Sequence, residues 1–233
     1  MKNPALILHF VSFSLYLYFF EILGDKEISL VFKPMVVASI FFYYLFSSEN
    51  IKSVYHYIIL GLIFFADNIE LLEETVFYQF GLTLHFITLC VLLYLIFRDT
   101  QLIKNDSKLD QYLGLIFLVF IICYILLKII SEFFIKSKFS SFYFVANYIA
   151  IFILVFVFAI YNFFKHKTKS SKFLVLCMLI LFLSDLFFVI NRYYYPNKIL
   201  VVLSCLTELP TYYLLILYFI NRDRERTKIE IIP

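Results

Sequence analysis

Residues 179–191 read LILFLSDLFFVIN, an apolar run that contains one carboxylate, Asp185. A second run, residues 58–69, reads IILGLIFFADNI and carries Asp67 in a similar setting. An ionised carboxylate near the centre of a membrane helix costs about 2.5 kcal/mol or more. The same cost arises at Asp67 and at Asp185, about half a chain apart. The sequence therefore indicates a membrane protein in which both carboxylates have a structural or functional role.

The whole chain has the composition of a polytopic membrane protein. Of its 233 residues, 63% are hydrophobic and 16% are charged, whereas a soluble domain is about 45–50% apolar and about 25% charged. Apolar runs of roughly 20 residues recur from end to end, and each is long enough to cross a ~30 Å hydrocarbon layer as a helix. The net charge of +3 is not clustered on a basic face, so nucleic acid is not an expected partner.

Polar clusters divide the chain into about eight predicted spans. They are residues 4–23, 30–46, 54–72, 76–97, 111–130, 139–164, 171–190 and 199–220. The first run lacks a small-residue cleavage site and is interpreted as a retained span. No connection is long enough to separate domains. We therefore expect an all-α bundle, with residues 1–220 as one transmembrane domain and residues 221–233 as a charged, solvated cytoplasmic tail.

Lysines and arginines set the predicted orientation. With the N-terminus inside, the inner connections and the tail carry most of the 20 basic residues, including Lys165, Lys167 and Lys169. The third connection, which would lie outside, is purely acidic. The positive-inside rule therefore places both termini in the cytoplasm. A bacterial inner membrane is the expected location, because outer membranes take β-barrels.

This topology places three charged side chains in one layer of the membrane. At 1.5 Å per residue, Lys33, Asp67 and Asp185 all fall roughly 6–8 Å outward from the midplane. Charges within a membrane usually face the bundle interior and one another, so we expect a polar chamber that opens outward. Three further polar groups fall near the midplane: His85, Glu208 and Tyr212.

Each of these groups also has an ordinary structural explanation. Asp67 and Asp185 would serve as hydrogen-bonding groups between helices, although serine or asparagine would do so at lower cost. Lys33 would extend along its apolar stem to the head groups. His85 would be a satisfied core histidine, and Glu208 precedes a proline that frees backbone carbonyls in the last span.

The four cysteines each stand alone in an apolar run; they are Cys90, Cys123, Cys177 and Cys205. This pattern is typical of buried packing and indicates neither a disulfide nor a zinc site. The chain has four glycines in all, and it lacks the glycine-rich loops, the serine-hydrolase elbow and the zinc-protease motif. No metal and no cofactor are therefore expected.

Several residues occur in an order that resembles a known family. They are Lys33-Pro34, Phe64-Phe65-Ala66-Asp67, Phe77 with Gly81-Leu82 and Tyr94, Phe182-Leu183-Ser184-Asp185, and Thr211-Tyr212. Together they resemble the YhhN family, the lysoplasmalogenase-like membrane proteins with eight helices, over nearly the whole chain. The chain departs from that pattern at Ala66, where the family has glycine, and at the family histidine, whose place Thr88 or Leu89 occupies.

The resemblance implies hydrolysis of the vinyl-ether bond of lysoplasmalogens, which yields a fatty aldehyde and a glycerophospho head group. Protonation of the β-carbon leaves an oxocarbenium ion that water captures. One carboxyl must therefore hold a proton while another is ionised, as two neighbouring aspartates do in a low dielectric. The hypothesis makes Asp67 and Asp185 this catalytic pair. The residues that would bind the lysophospholipid are Lys33, Tyr212, Glu208 and His85.

The same chamber also suits a protein without catalysis. Aspartates and lysines within spans form proton or ion relays, so a lipid-binding, sensor or transport protein is the alternative prediction. A third interpretation is an accessory protein held together by buried polar groups. The predicted partners are the bilayer itself and a lysophospholipid or another amphipathic lipid.

Overall fold

The computed structural model describes residues 3–47, 53–69, 75–102 and 142–231. Within these ranges helices joined by short connections make up the regular structure, without a strand, which confirms the all-α prediction. The helices are α1 (Pro4–Leu17), α2 (Lys26–Ser47), α3 (Val54–Ile69), α4 (Thr75–Leu102), α5 (Phe142–His166), α6 (Lys169–Val189) and α7 (Lys198–Ile231). Each overlaps a predicted span, although α7 extends well beyond the end of its span. The fifth predicted span, residues 111–130, and Cys123 within it lie outside the described residues.

Five of these helices are long and apolar enough to cross a membrane: α2, α4, α5, α6 and α7. Helices α1 and α3 are apolar but shorter, with 14 and 16 residues. A span of the hydrocarbon layer takes about 20 residues, with a range of about 17–25. The described helices are therefore compatible with an integral, multi-pass membrane protein.

The chain divides into two compact units. The first holds Met1–Leu60 and Lys172–Pro233, and the second holds Gly61–Ser171. Both boundaries fall inside helices, one in α3 and one in α6. Because no linker lies at either boundary, composition alone carries no signal of this division, and the sequence predicted a single domain over residues 1–220.

In the first unit, α1 packs against α2, and α7 also contacts α2. The buried face of α1 recurs at helical spacing and consists of Ala5, His9, Ser12, Phe13 and Tyr16. The buried side chains of α2 follow the same period and include Val36, Val37, Ile40 and Tyr44. A stripe of this kind is what one face of a helix presents to a neighbour. In the second unit the main packing is between α4 and α5.

Short polar side chains begin four of the helices. In each case a side-chain oxygen accepts a backbone N–H of the first turn at 2.9–3.3 Å; the residues are Asn3, Asp25, Thr168 and Asn197. Serine, threonine, asparagine and aspartate suit this position because they satisfy amides that have no partner inside the helix. These caps lie in the polar clusters where the sequence predicted breaks between spans.

Helix α1 runs into a π-helical turn, Tyr18–Leu23, which ends at Gly24 in the left-handed conformation (φ 69°). The Asp25 amide donates to the Phe19 carbonyl at 2.9 Å, which closes the turn. A residue with a Cβ is strained in this region, whereas glycine is not. This glycine therefore determines how the chain leaves α1 and enters α2.

Helix α7 continues past the predicted boundary at residue 220 and ends at Ile231, with Pro210 inside it. Arg222 and Asp223 are only 2% and 8% exposed. The first residues of the stretch interpreted as a solvated tail are therefore buried helix. The prediction of solvation at these positions was wrong because both side chains find polar partners on α2 and α3, which a charge count along the chain does not show.

Candidate functional site

Two of the predicted site residues, Asp67 and His85, come together in the second unit. Asp67 lies near the end of α3 and is 4% exposed. Its Oδ1 is 3.6 Å from Nε2 of His85 on α4. A buried carboxylate needs an opposite charge or hydrogen bonds to offset its desolvation. If His85 is protonated it supplies that charge, and the two residues can then form an ion pair between helices.

The Asp67–His85 pair has the chemistry of a general acid and a neighbouring carboxylate that stabilises its charged form. A carboxylate beside an imidazole favours the charged ring, which donates a proton and then becomes a base. The side chain of His85 is 26% exposed and that of Asp67 is 6% exposed. Because His85 is the more accessible member, it is the group that a substrate would meet, and Asp67 would act on it from the buried side.

The residue after Asp67 offers an unused acceptor. The Asn68 amide nitrogen donates to the Phe64 carbonyl at 2.6 Å. Its Oδ1 is buried and has no hydrogen-bond partner among the described residues. Buried polar atoms usually have a partner, often an ordered water. Asn68 Oδ1 can therefore accept a hydrogen bond from a water or a hydroxyl group, and Asn68 is adjacent to Asp67 in the sequence.

Two other predicted residues, Glu208 and Tyr212, interact in the first unit. They lie one turn apart on α7, and the Tyr212 hydroxyl donates to Glu208 Oε1. The Tyr212 ring meets His9 of α1 edge to face, with centroids 6.3 Å apart. His9 in turn donates from Nδ1 to the Val36 carbonyl of α2 across 2.9 Å. His9 looked ordinary in the sequence, yet it connects α1 and α2 to this tyrosine.

Lys33 lies over an aromatic ring. Its Nζ is 5.7 Å from the centroid of Tyr16 on α1. A cation at this distance from a ring face is attracted by about 0.5–1 kcal/mol or more where water is excluded. The contact offsets part of the cost of a lysine on an apolar helix. The role predicted for Lys33 at a lipid phosphate stays a prediction.

Asp185 is partly exposed on α6, next to a pair of reciprocal hydrogen bonds. The Ser184 hydroxyl donates to the Ser204 carbonyl at 2.9 Å, and the Ser204 hydroxyl donates to the Ser184 carbonyl at 3.0 Å. These bonds join α6 to α7 at the level of Asp185. Asp67 belongs to the other compact unit, so the predicted pairing of the two aspartates stays a prediction.

A second group of buried polar residues was missed by the sequence analysis. We call it the buried cluster; its members are Tyr44 on α2, His56 on α3, and Arg222 and Asp223 on α7. The Tyr44 hydroxyl is 2.8 Å from His56 Nδ1 and 3.1 Å from Asp223 Oδ2, and Arg222 Nη1 is 3.3 Å from His56 Nε2. Their exposed fractions are 0%, 0%, 2% and 8% in that order.

One signal for the buried cluster was present in the sequence. Asp223 follows Tyr212, Ile216 and Phe219 at helical spacing, and all four are buried. The apolar face of the last span thus continues into the charged stretch without a change of period. His56 carried no comparable signal, because a lone histidine near the start of an apolar helix is common.

Comparison of the chain with known protein families, with curated proteins and with solved structures found no match in any of the three.

Proposed function

We propose that this chain is a membrane-embedded hydrolase of the YhhN type, which cleaves the vinyl-ether bond of lysoplasmalogen-like lysophospholipids by acid–base chemistry. The observation that carries the proposal is the contact of 3.6 Å between Asp67 and His85. The pair lies in a chain whose five long apolar helices suit a lipid environment. An amphipathic lipid is the substrate that such an environment brings to an acid.

In the proposed mechanism, His85 is the general acid and Asp67 is its partner. His85 Nε2 faces Asp67, so Nδ1 is the nitrogen that faces the substrate. The imidazolium transfers a proton to the β-carbon, and the double-bond electrons form the new C–H bond. The Asp67 carboxylate stabilises the oxocarbenium ion that remains. General acid catalysis of this kind contributes roughly 10²–10⁴-fold.

Water completes the reaction. Neutral His85 takes a proton from the water that attacks the oxocarbenium carbon, and a hemiacetal forms. The hemiacetal hydroxyl loses its proton, the C–O bond to glycerol breaks, and the glycerol oxygen is protonated. The products are a fatty aldehyde and a glycerophospho head group, and the ring is ready for another turnover. The roles predicted for Lys33, Asp185, Glu208 and Tyr212 stay predictions.

We propose further that the chain crosses the membrane about eight times, with both termini in the cytoplasm of a bacterium. The apolar helices α1 and α3 support additional crossings beyond the five long ones. The lysines between α5 and α6 support a cytoplasmic position for that connection. The helical fold supports an inner-membrane location, because outer membranes take β-barrels.

Release of fatty aldehyde tests the proposed activity. The purified chain in nanodiscs is incubated with a 1-alkenyl lysophospholipid and, separately, with its 1-acyl and 1-alkyl analogues. Aldehyde is expected from the 1-alkenyl lipid alone, because only its β-carbon can be protonated to an oxocarbenium ion. Absence of aldehyde from the wild-type chain contradicts the proposal.

Substitution of the pair identifies the acid. Asp67→Asn and His85→Gln should each lower aldehyde release about 10²–10⁴-fold, while the detergent-solubilised protein stays monodisperse. The matched controls are Asp99→Asn and His166→Gln, which change the same residue types elsewhere in the second unit and should retain activity. Full activity in both site variants would remove the pair from the mechanism.

A proton relay or a lipid-binding protein without catalysis is the second candidate. The observation that favours it is the burial of Asp67 beside a titratable partner, an arrangement that proton pathways in membranes also use. The protein is reconstituted in liposomes that contain a pH-sensitive dye. Proton flux that depends on Asp67, or tight binding of lysolipid without aldehyde, would favour this function over hydrolysis.

A further inference from the structure

The chemistry of the buried cluster determines the direction of its hydrogen bonds. An arginine side chain has donors only, so Arg222 Nη1 donates to His56 Nε2 across 3.3 Å. That nitrogen must carry a lone pair, which places the proton of a neutral ring on Nδ1. His56 Nδ1 then donates to the Tyr44 hydroxyl at 2.8 Å, and Tyr44 donates to Asp223 Oδ2 at 3.1 Å.

The four side chains thus form one chain of hydrogen bonds from a cation to an anion. Arg222 and Asp223 are adjacent in sequence, yet two neutral groups from α2 and α3 connect their charges. His56 is 0% exposed, and its ring stacks on Phe219 with centroids 4.0 Å apart. A buried network of this kind is strong only while every member keeps its partner.

A proton on His56 would rearrange this chain. Nε2 would become a donor, so Arg222 would lose its acceptor and face a second cation at 3.3 Å. At the same time, Asp223 Oδ2 lies 3.5 Å from His56 Nδ1 and becomes the partner of the imidazolium. The protonated ring therefore gains an ion pair with Asp223 as it loses the hydrogen bond from Arg222.

We propose that the buried cluster is a proton-binding site that acts as a latch on the C-terminal end of α7. With His56 neutral, the hydrogen bond from Arg222 ties this end of α7 to α3. With His56 protonated, this hydrogen bond is lost and this end of the helix loosens. Histidine is the side chain whose unperturbed pKa places its change of charge between about pH 5 and 8. The ligand that this site binds is therefore a proton. This inference does not depend on the proposed hydrolase activity.

Among the described residues, titratable and charged side chains from two other helices face His56. The titratable or charged side chains that face it in the described contacts are Tyr44 from α2, and Arg222 and Asp223 from α7. Tyr57, on the same helix as His56, lies against the Tyr44 ring with centroids 6.0 Å apart. Tyrosine does not titrate in this range, since the ordinary pKa of its hydroxyl is about 10.

The first test reads the tautomer directly. Histidine labelled with ¹³C and ¹⁵N is incorporated into the full chain in nanodiscs, and the imidazole nitrogen shifts are followed by NMR. His56, identified by the signal that His56→Gln removes, should show the Nδ1–H tautomer at about pH 7.5 and the imidazolium at about pH 5. An Nε2–H tautomer at neutral pH, or a ring that stays neutral throughout, would overturn the proposal.

The second test measures the latch. Hydrogen exchange of the amides of residues 221–231 is compared at about pH 7.5 and about pH 5.5, after correction for intrinsic exchange. Loss of a hydrogen bond to a charged group corresponds to an expected fall in protection of about 10- to 100-fold in the wild-type chain. The amide of His56→Gln can accept from Arg222 and donate to Tyr44 without titrating, so this variant should stay protected at both values.

His166→Gln is the matched control, because it removes a histidine of the other unit and should behave as the wild-type chain does. Equal loss of protection in the wild type and in His56→Gln would contradict the latch, as would no loss in the wild type. Tyr44→Phe keeps the test decisive if His56→Gln does not fold. Without the tyrosine hydroxyl, His56 Nδ1 faces Asp223 alone, so release should move to higher pH; an unchanged transition contradicts the proposal.

Discussion

At the scale of single residues, buried charges in this chain are explained by partners on other helices. Asp67 meets His85 at 3.6 Å, and Arg222 meets His56 at 3.3 Å. A buried ion that loses its partner destabilises a protein by about 3–5 kcal/mol. The position of the partner therefore decides whether a charged residue lies in the core or in water. Two residues of the same type that are close in sequence can differ in burial for this reason.

Arg222 and Arg224 provide a direct comparison. Arg222→Ala should lower the free energy of unfolding by about 1.5–3 kcal/mol, because the buried His56 Nε2 loses its hydrogen bond from a charged donor. Arg224 is exposed, and Arg224→Ala should change that free energy by less than about 0.5 kcal/mol. Thermal or denaturant unfolding in detergent measures both. Equal losses in the two variants would mean that Arg222 is not held by the buried cluster.

The two glycines at Gly24 and Gly61 should respond to alanine in opposite directions. A Cβ at either position meets no heavy atom within 4 Å. Gly24→Ala should nevertheless destabilise the chain by about 1–2 kcal/mol, because its φ is positive. Gly61→Ala lies inside α3 and should stabilise it by up to about 1 kcal/mol, since alanine is the better helix former. The same unfolding measurement applies, and a destabilisation of similar size at both sites would contradict this account.

At the scale of helices, local signals determine where each helix begins, and tertiary contacts determine where some of them end. Thr168 and Asn197 cap α6 and α7 from polar clusters that are evident in the sequence. The end of α7 has no such signal. The helix extends to Ile231 because Arg222 and Asp223 bury their charges among partners from α2 and α3.

The reciprocal serine contact between α6 and α7 should be cooperative. Ser184→Ala and Ser204→Ala should each destabilise the chain by about 0.6–1.7 kcal/mol, the range found for hydrogen bonds between membrane helices. The double variant should cost less than the sum, because the two hydroxyls also contact each other at 3.4 Å and either substitution removes that contact. Ser14→Ala is the control, since that exposed hydroxyl bonds only to Phe10 within its own helix. Strict additivity in unfolding measurements would contradict the contact.

At the scale of the whole molecule, the number of crossings determines on which side each terminus lies. The described ranges contain five long apolar helices and two shorter ones, and the predicted fifth span lies between α4 and α5. An even number of crossings leaves both termini on one side, whereas an odd number separates them. Topology therefore tests the predicted span count without any knowledge of the packing.

Fusions to the termini measure this directly. Green fluorescent protein is fluorescent in the bacterial cytoplasm, and alkaline phosphatase is active outside it. With about eight crossings and positive-inside orientation, green fluorescent protein should be fluorescent at either terminus. Alkaline phosphatase should be inactive at either terminus. Phosphatase activity at one terminus alone would show an odd number of crossings and would contradict the proposed topology.

The sequence by itself determined the class of protein, the all-α fold and the approximate limits of the described helices. It also singled out Asp67 and His85, because a charge in an apolar run is visible without any structure. These are local properties: hydrophobicity over a span, a capping residue, or one carboxylate among many leucines and phenylalanines. Each acts within a few residues of the chain.

Only the tertiary structure decided which polar groups meet. The ion pair of Asp67 with His85, and the chain of hydrogen bonds from Arg222 to Asp223 through His56 and Tyr44, join residues far apart in sequence. The rotation of each helix about its axis decides which of its side chains face inward, and that rotation is set by packing against neighbours. Arg222 and Asp223, which the sequence placed in a solvated tail, are therefore buried, and their burial makes each polar partner necessary.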